Sequence, residues 1–581
     1  MVPSVAAEAR SVERNGGGDH VAVSDMGPVD VSNWSFYARP HQTGAARPTP
    51  YLVGPIVGTV TETDARVLVE VARTQPVTME AFMDGARVYS HTAEVRARTP
   101  TAFKLRNFAP NKRVRVTVNV GEFGQEREAR FKTPSNKMDW KIAAVSCNSH
   151  TKMERLGLWD RLARVVDDVD CVLHLGDQVY ADTDLTARND PTIRFDSAWT
   201  ASLGLMHHLS PDDWASKRNE MLEHYRKTYR TTWNLPACAI VLASTANYMI
   251  CDDHEVVDDL GDEPEHLNPD SAESFVIKVA YQVYCEYQKQ LLCDTDVTDS
   301  TTKPYYALRL SPKIGFFMTD NRVERSIHRS QGREEDWKER DFLGPDQWAR
   351  LNQALEDDFQ DCETVIFGAP TPLVFISQKA TGIAERVIDD ARGTWGHEQF
   401  RAEQRHLCGT LSNWQSARPN RAVVTLAGDV HIGGFTDSWH NDHQVPLHQM
   451  TASAIGNLPE GNIDWIKSTL ARQVLHADQH LFEFKVKHHD WIFGPNFGMV
   501  DVTVGKGGDQ RPDISLTLVP SKGEPNVRNL ALGDSNVPIH DAGAHGAAAV
   551  AHATAKVLAP PPPPPMGMGK ARGSGGCCTC A

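Results

Sequence analysis

The sequence predicts an α/β fold preceded by a small all-β domain, on three observations. Short apolar runs end in small and acidic residues, most plainly Leu173-His-Leu-Gly-Asp-Gln-Val-Tyr180 and Leu426-Ala-Gly-Asp-Val-His431. Between such runs lie segments with apolar residues at helical spacing, Met153–Val166 and Phe275–Leu292 among them, the alternation expected of a parallel sheet. Ahead of both, short runs with β-branched residues follow one another at turn-marked spacing, the texture of a β-sandwich.

Composition narrows the class. A chain of 581 residues is long enough for more than one domain and a sizeable core. Its formal net charge of −15 argues against a general nucleic-acid or anionic-membrane binder. Met1 to His20 contains no apolar run of the secretory kind, and no stretch is apolar enough to span a bilayer. The expectation is an intracellular, cytoplasmic protein. Eight of the 11 cysteines are scattered through the body without CxxC pairs, as in a reduced compartment.

Taken in order, residues 1–48 are polar, rich in Gly and Pro and without periodicity, which predicts a flexible arm. Residues 49–134 form the predicted β-sandwich. Its strand candidates are Ala65–Val71, Val77–Ala81, Ala102–Leu105 and Arg113–Val120, with turns at Asp84-Gly85 and Pro110-Asn111. No cluster of catalytic residue types falls there, so a structural or substrate-gating role is expected. Thr133-Pro134-Ser-Asn136 reads as the boundary, and residues 137–525 as the catalytic domain.

That domain opens with a β-α-β unit: Lys141–Cys147, a helix whose stripe is Leu158, Leu162, Val165 and Val166, then Asp170–Leu175. Residues 187–235 read as an inserted helical region. Two apolar runs, Ala239–Leu242 and Asn247–Cys251, lead to Asp252-Asp253-His254-Glu255. A long amphipathic helix, Phe275–Leu292, precedes a hairpin of Tyr305–Leu310 and Ile314–Thr319 that ends at Asp320. Val365–Gly368 and Ala422–Leu426 are buried strands, and Phe497–Val504 and Asp513–Leu518 close the domain. Residues 526–581 read as a flexible Ala-, Gly- and Pro-rich tail.

Five strand ends then carry polar groups: Cys147-Asn148, Asp177 with Tyr180, Asp253-His254, Asp320 with Arg322 and Arg325, and Asp429 with His431. In open α/β sheets, sites form at the carboxyl ends of strands. Burying these groups together is costly unless cations compensate. Phenolate and carboxylate favour a hard, highly charged ion such as ferric iron. An all-oxygen neighbour site suits calcium, magnesium or manganese.

The ordered set Cys147, Gly176-Asp177-x-x-Tyr180, Asp252-Asp253-His254-Glu255 and Gly428-Asp429-Val-His431 resembles the calcineurin-like metallophosphoesterase superfamily, and within it the PhoD-like alkaline phosphatases. Asp320-Asn-Arg322-Val-Glu-Arg325 is similar to that family's Asp-x-Arg-x-x-Arg stretch. The resemblance runs over roughly residues 50–525. It implies a four-layer catalytic domain of two mixed sheets flanked by helices, and metal-assisted attack of water on a phosphate monoester, the substrate being a phosphorylated small molecule, lipid or protein. It also implies a dinuclear centre, Fe(3+) with Ca(2+), magnesium, manganese and zinc staying open. Asp177 would bridge the ions. Cys147, Tyr180 and His431 would complete the ferric position, and Asp253 and Asp429 would hold the second ion. Asp253 is preferred to Asp252 because it directly precedes His-Glu. His254 would assist the phosphoryl oxygen or leaving group, and Arg322 and Arg325 would bind phosphate or brace the site. His174, His150 and the His488-His489 pair are assigned to structural or surface roles. A phosphodiesterase or phospholipase-type activity at the same centre is the nearest alternative, and a non-catalytic scaffold the more distant one.

At the C-terminus, Cys578 lies fourth from the end, as in a prenylation box, beside Cys577 as a palmitoylation candidate. Thr579 and Cys580 are poor aliphatic positions for such a box. Lipid anchoring to a membrane, metal or redox reactivity and an inert tail are the competing readings.

Overall fold

The computed structural model describes residues 49–530, apart from 122–125, 136–137, 152–155, 188–189, 326–340, 377–380, 382–392, 444, 458–478 and 506–509. The readings placed on residues 1–48 and on Cys577 and Cys578 lie outside the described residues.

The N-terminal region forms two sheets. Strands β1 (Tyr51–Val60), β2 (Ala65–Val71) and β5 (Thr101–Leu105) make one, in the order β1-β2-β5. Strands β3 (Gln75–Met83), β4 (Ala86–Val95), β6 (Arg113–Val120) and β7 (Glu126–Lys132) make the other, in the order β4-β3-β6-β7. Side chains alternate across a strand, and β2 shows the consequence. Val67, Val69 and Val71 enter the core these sheets share, whereas Leu68 packs among the helices of the larger domain. Every residue of β2 is buried as a result.

The larger domain carries two further sheets. One contains β8 (Asp139–Val145), β9 (Cys171–Leu175), β12 (Ala246–Ile250), β21 (Asn496–Thr503), β22 (Asp513–Pro520) and β23 (Asn526–Leu530), in the order β12-β9-β8-β21-β22-β23. The other contains β13 (Tyr306–Ser311), β14 (Ile314–Met318), β15 (Thr364–Ala369), β16 (Ala422–Ala427), β17 (Gly433–His440), β18 (Leu447–Thr451), β19 (Gln479–Leu481) and β20 (Phe484–Ile492). Its order is β13-β14-β15-β16-β18-β17-β20-β19. β8, β9 and β12 pair in parallel, as do β14, β15, β16 and β18. The fold is mixed α/β.

Strand alternation builds the layers. On β15, Ile366 faces a core shared by the two sheets, while Val365 and Phe367 face a second core with the helices Pro345–Gln353 and Arg401–Ser416. On β9, Leu173 faces the shared core and Val172 a third, against the helices Leu158–Val165 and Pro236–Ser244. Tyr248 of β12 meets Phe316 of β14 edge-on at 6.3 Å across the shared core. Removing the fully buried Phe316 ring would cost about 3–5 kcal/mol.

The apolar run Ala239–Leu242, given no element from the sequence, lies in the helix Pro236–Ser244, which starts with proline where its missing N–H costs nothing. Local expectations are corrected in two places. The insert at 187–235 begins with a hairpin, β10 (Leu185–Ala187) with β11 (Asp190–Phe195), before the helices Ala198–Met206 and Arg218–Trp233. Residues 526–530, read as the start of the tail, form the edge strand β23. Arg528 on that strand pairs with buried Asp437 of β17, which also accepts from His448 Nδ1 at 2.8 Å and His489 Nε2 at 3.0 Å. Ion pairing thus ties the two sheets together, and polarity hid β23 in the sequence.

The helix Ala272–Tyr284 continues through a π turn at Cys285–Lys289 to Gln290–Leu292. All five residues of the π turn are buried.

Candidate metal centre

The loops after β8, β9, β12 and β16 meet at the carboxyl ends of these parallel strands. Their backbones are unusual. Cys147, Asp177, Asp429 and His431 have φ of 55°, 55°, 67° and 54°. The left-handed region is disfavoured for any side chain with a Cβ, and such strain concentrates at functional sites. Two glycines allow the approach. At Gly176 (φ 91°) a Cβ would lie 2.7 Å from Asp252 Cβ, and at Gly428 it would lie 2.6 Å from the Ser146 side chain. Loop-to-loop hydrogen bonds fix the register: Asn148 N donates to Asp177 O at 2.8 Å, and Ala181 N to His254 O at 2.8 Å.

Four predicted residues form one contact chain. Cys147 Sγ lies 3.4 Å from Asp177 Oδ2, Tyr180 OH 3.4 Å from the same oxygen, and Tyr180 OH 3.1 Å from His431 Nε2. Ser453 Oγ donates to Cys147 Sγ at 3.1 Å, and Asn457 Nδ2 lies 3.2 Å from His431 Nε2. Burial pushes the Cys147 thiol and the Tyr180 phenol well up, and the Asp177 charge adds to both shifts. Asp177 is itself raised by burial, with Asp253, Asp252 and Glu255 adding to the rise and His254 opposing it. Thiol, phenol and carboxyl thus crowd where their charged forms are penalised. A bound cation reverses that penalty, so the donor set fits a metal.

The facing half differs. Asp177, Asp253 and His254 bring ligand atoms within 4.8 Å of one another. Arg322 forms a two-armed ion pair with Asp252 and reaches Asp253 Oδ1 at 3.4 Å. Burial favours a charged Asp253 least, yet Arg322 and His254 outweigh it and lower its pKa. Asp429 acts on both halves, its charge raising Cys147 and Arg322 alike. The two neighbouring aspartates therefore divide: Asp252 answers the arginine, and Asp253 faces the cluster.

His254 donates its backbone N–H to Asp177 Oδ1 at 3.3 Å, and its Nδ1 lies 2.6 Å from Asp182 Oδ2. Its ring stacks on Tyr180 at 4.1 Å. Burial works against the imidazolium, but the Asp182, Asp253 and Asp177 carboxylates overcome it and hold the pKa well above the usual range. Asp182 was absent from the sequence prediction, although it stands two residues beyond Tyr180.

Two predicted groups turn away. Asp320 accepts backbone N–H groups of Arg322, Val323 and Glu324 and so closes its own loop. The two terminal nitrogens of Arg325 donate to Asp262 at 2.6 Å, Leu260 O at 3.0 Å and Gly393 O at 2.9 Å, the pattern of a brace. His174, assigned a structural role, is buried between Gln178 and Asn247. Glu255, given no role from sequence, accepts N–H groups from Asp177 at 3.2 Å, Gln178 at 2.7 Å and Asp252 at 2.8 Å.

The family model of the PhoD-like phosphatase matches residues 142–509, more than half of the chain. A solved structure described as "Structure of PhoD" is similar with a TM-score of 0.60 at 16% identity, covering 83% of this chain and 90% of that one. A second, "Myokine structure", covers 15% of this chain and 100% of its own at 16% identity, with a TM-score of 0.13. No curated protein matches the chain.

Proposed function

The chain belongs to the PhoD-like phosphatase family, and on that premise we propose that it is a metal-dependent phosphoric ester hydrolase with a dinuclear centre. The observation that carries the reading is the contact chain Cys147–Asp177–Tyr180–His431, buried but for half-buried His431, beside Asp253. In this reading Cys147, Tyr180, His431 and Asp177 would hold one ion, and Asp253, Asp429 and Asp177 the other. Phenolate, thiolate and imidazole suit iron at the first position, and the carboxylates suit calcium at the second. The fold that goes with it has four layers, helices covering each of two sheets.

Such a cation pair, when bound, would supply positive charge near the phosphoryl oxygens and lower the pKa of the attacking water. The chain's own groups do the rest. Asp182 accepts from Nδ1 of His254, so the ring keeps its second proton on Nε2, available to the departing oxygen. Stacking on Tyr180 limits the ring's rotation. Arg322 holds Asp252 and Asp253 in place and is already engaged, so its role is to set the site's charge. Arg325 is a brace.

One observation favours an ester with an apolar substituent. Val430 and Ile432, flanking His431, belong to an apolar cluster with Phe375, Ile376, Trp491 and Phe493, most of it only partly buried. An apolar ester substituent, of a monoester or a diester, has a wall to rest on there. The test is hydrolysis of p-nitrophenyl phosphate beside its bis-ester by iron- and calcium-loaded protein, with Asp177→Asn as control. Turnover lost in the variant is the expected result, and metal-loaded protein inert to both esters would sink the catalytic reading.

A further inference from the structure

The small β-domain reaches the metal-site loops through an unbroken buried path. Its first member is Glu70 on β2, fully buried. Arg230 Nε donates to Glu70 Oε1 at 2.9 Å, and Tyr287 OH donates to Glu70 Oε2 at 2.6 Å. Tyr287 sits in the π turn and stacks on Tyr229 at 4.3 Å with the rings 6° apart. The next residue, Gln288, donates through Nε2 to Tyr229 OH at 3.1 Å and to Glu255 Oε1 at 3.0 Å. Glu255 in turn gathers the backbone N–H groups of Asp177, Gln178 and Asp252. One carboxylate thereby sets the spacing of the loops after β9 and β12, which carry Asp177 and Asp253.

The π turn gives the path its geometry. Five buried residues in the widened turn present Tyr287 to the β-domain and Gln288 to the ligand loops, and π turns inside α-helices recur at functional sites. The turn is itself anchored, since Glu286 accepts from Arg226 Nε at 2.7 Å and NH2 at 2.6 Å. None of these groups touches the reacting atoms. Buried polar networks of this kind are high-stakes, because a half-satisfied member costs more than an apolar one.

We infer that Gln288 and Glu255 are positioning residues of the metal site, and that the small β-domain, through Glu70 and Tyr287, is part of that positioning. This rests on the proposed metal-dependent hydrolase. Outer partners of metal ligands alter affinity by about 10–100-fold when removed, and Gln288→Leu, near in volume, removes the donor to Glu255.

The experiment compares the full chain with Gln288→Leu and with the milder Tyr287→Phe. It measures Mn(2+) affinity of the metal-free proteins by calorimetry, Tm, and kcat and KM on the bis-ester at saturating Mn(2+). The expected result is Mn(2+) affinity about tenfold weaker in Gln288→Leu, with kcat lowered, KM and Tm near wild type, and a smaller change of the same sign in Tyr287→Phe. Wild-type affinity and kcat in both folded variants would overturn the inference, as would losses that follow Tm alone. If Gln288→Leu does not fold, Tyr287→Phe decides by the same readings. A wild type that binds no Mn(2+) and cleaves neither ester overturns the hydrolase reading and the brace with it. An active wild type with unaltered variants overturns the brace alone.

Discussion

The two halves of the site solve the same electrostatic problem differently. In the Cys147, Tyr180 and His431 half, acidic groups are pressed together and burial keeps their protons on. In the Asp252 and Asp253 half, Arg322 already supplies the countercharge. On the proposed metal-dependent reading the first half would take its countercharge from a bound ion, while Arg322 already offsets the second. A cation should therefore stabilise the first half far more than the second, and substitutions should separate them.

The largest effect is expected at Asp177, which serves both halves. Asp177→Asn should lower turnover by at least about 10³-fold while leaving the Tm of the metal-free protein unchanged or higher, because it deletes a buried acid. Thermal melts with and without Mn(2+) check this; a large fall in metal-free Tm would break the comparison. Next comes Arg322→Met. It strands two buried carboxylates, at about 3–5 kcal/mol of metal-free stability in urea unfolding. Added divalent cation should recover part of that loss, and equal losses with and without it would mean the halves do not differ in this way.

Asp182→Asn sharpens the picture at the seam. It removes the partner of His254 Nδ1, so kcat should fall about 10²-fold. The carboxylate raises the His254 pKa, so its loss should move the alkaline limb of the pH–rate profile to lower pH. An unmoved limb would remove His254 as the proton donor.

The smallest effect belongs to neither half. Asp437 sits below the usual carboxylate range because His448, His489 and Arg528 outweigh the opposing effect of burial. Its stabilisation is present above the ordinary carboxylate pKa and is lost as pH falls through and below it. Burial pushes Asp320 up to about 6, so its contribution runs the other way and is lost as pH rises from the ordinary value through about 6. Asp437→Asn should cost about 2 kcal/mol at neutral pH and flatten the acid limb of stability against pH. An acid limb unchanged in the variant would show that the sheet-to-sheet ion pair does not contribute.

The clustering of strand-end residues was legible because a short local pattern, an apolar run ending in small and acidic residues, marks a strand opening into a loop. Gly-Asp marks the loops of Asp177 with Tyr180 and of Asp429 with His431, while Cys147 and Asp253 follow apolar runs that end without it. The supporting groups were not legible, because their partners are remote in sequence. Glu70 and Tyr287 are 217 residues apart, and Glu255 and Gln288 are 33 apart. Glu70 also occupies an alternating position on β2, where a charge reads as solvent-facing; a second domain covers that face instead. Arg325 looked equivalent to Arg322 three residues earlier, and only the location of Asp262 separates brace from counterion.

The covered face of β2 bears on how this protein can be divided. The span that carries the family's motifs, 142–509, excludes Glu70 at one end and β22 and β23 at the other. Cutting there would leave Arg230 and Tyr287, on two different helical segments, without Glu70, and would strip Asp437 of Arg528. The motif-bearing span is therefore not a transplantable module. Any exchange of catalytic segments between relatives has to carry the small β-domain and the closing strands with it.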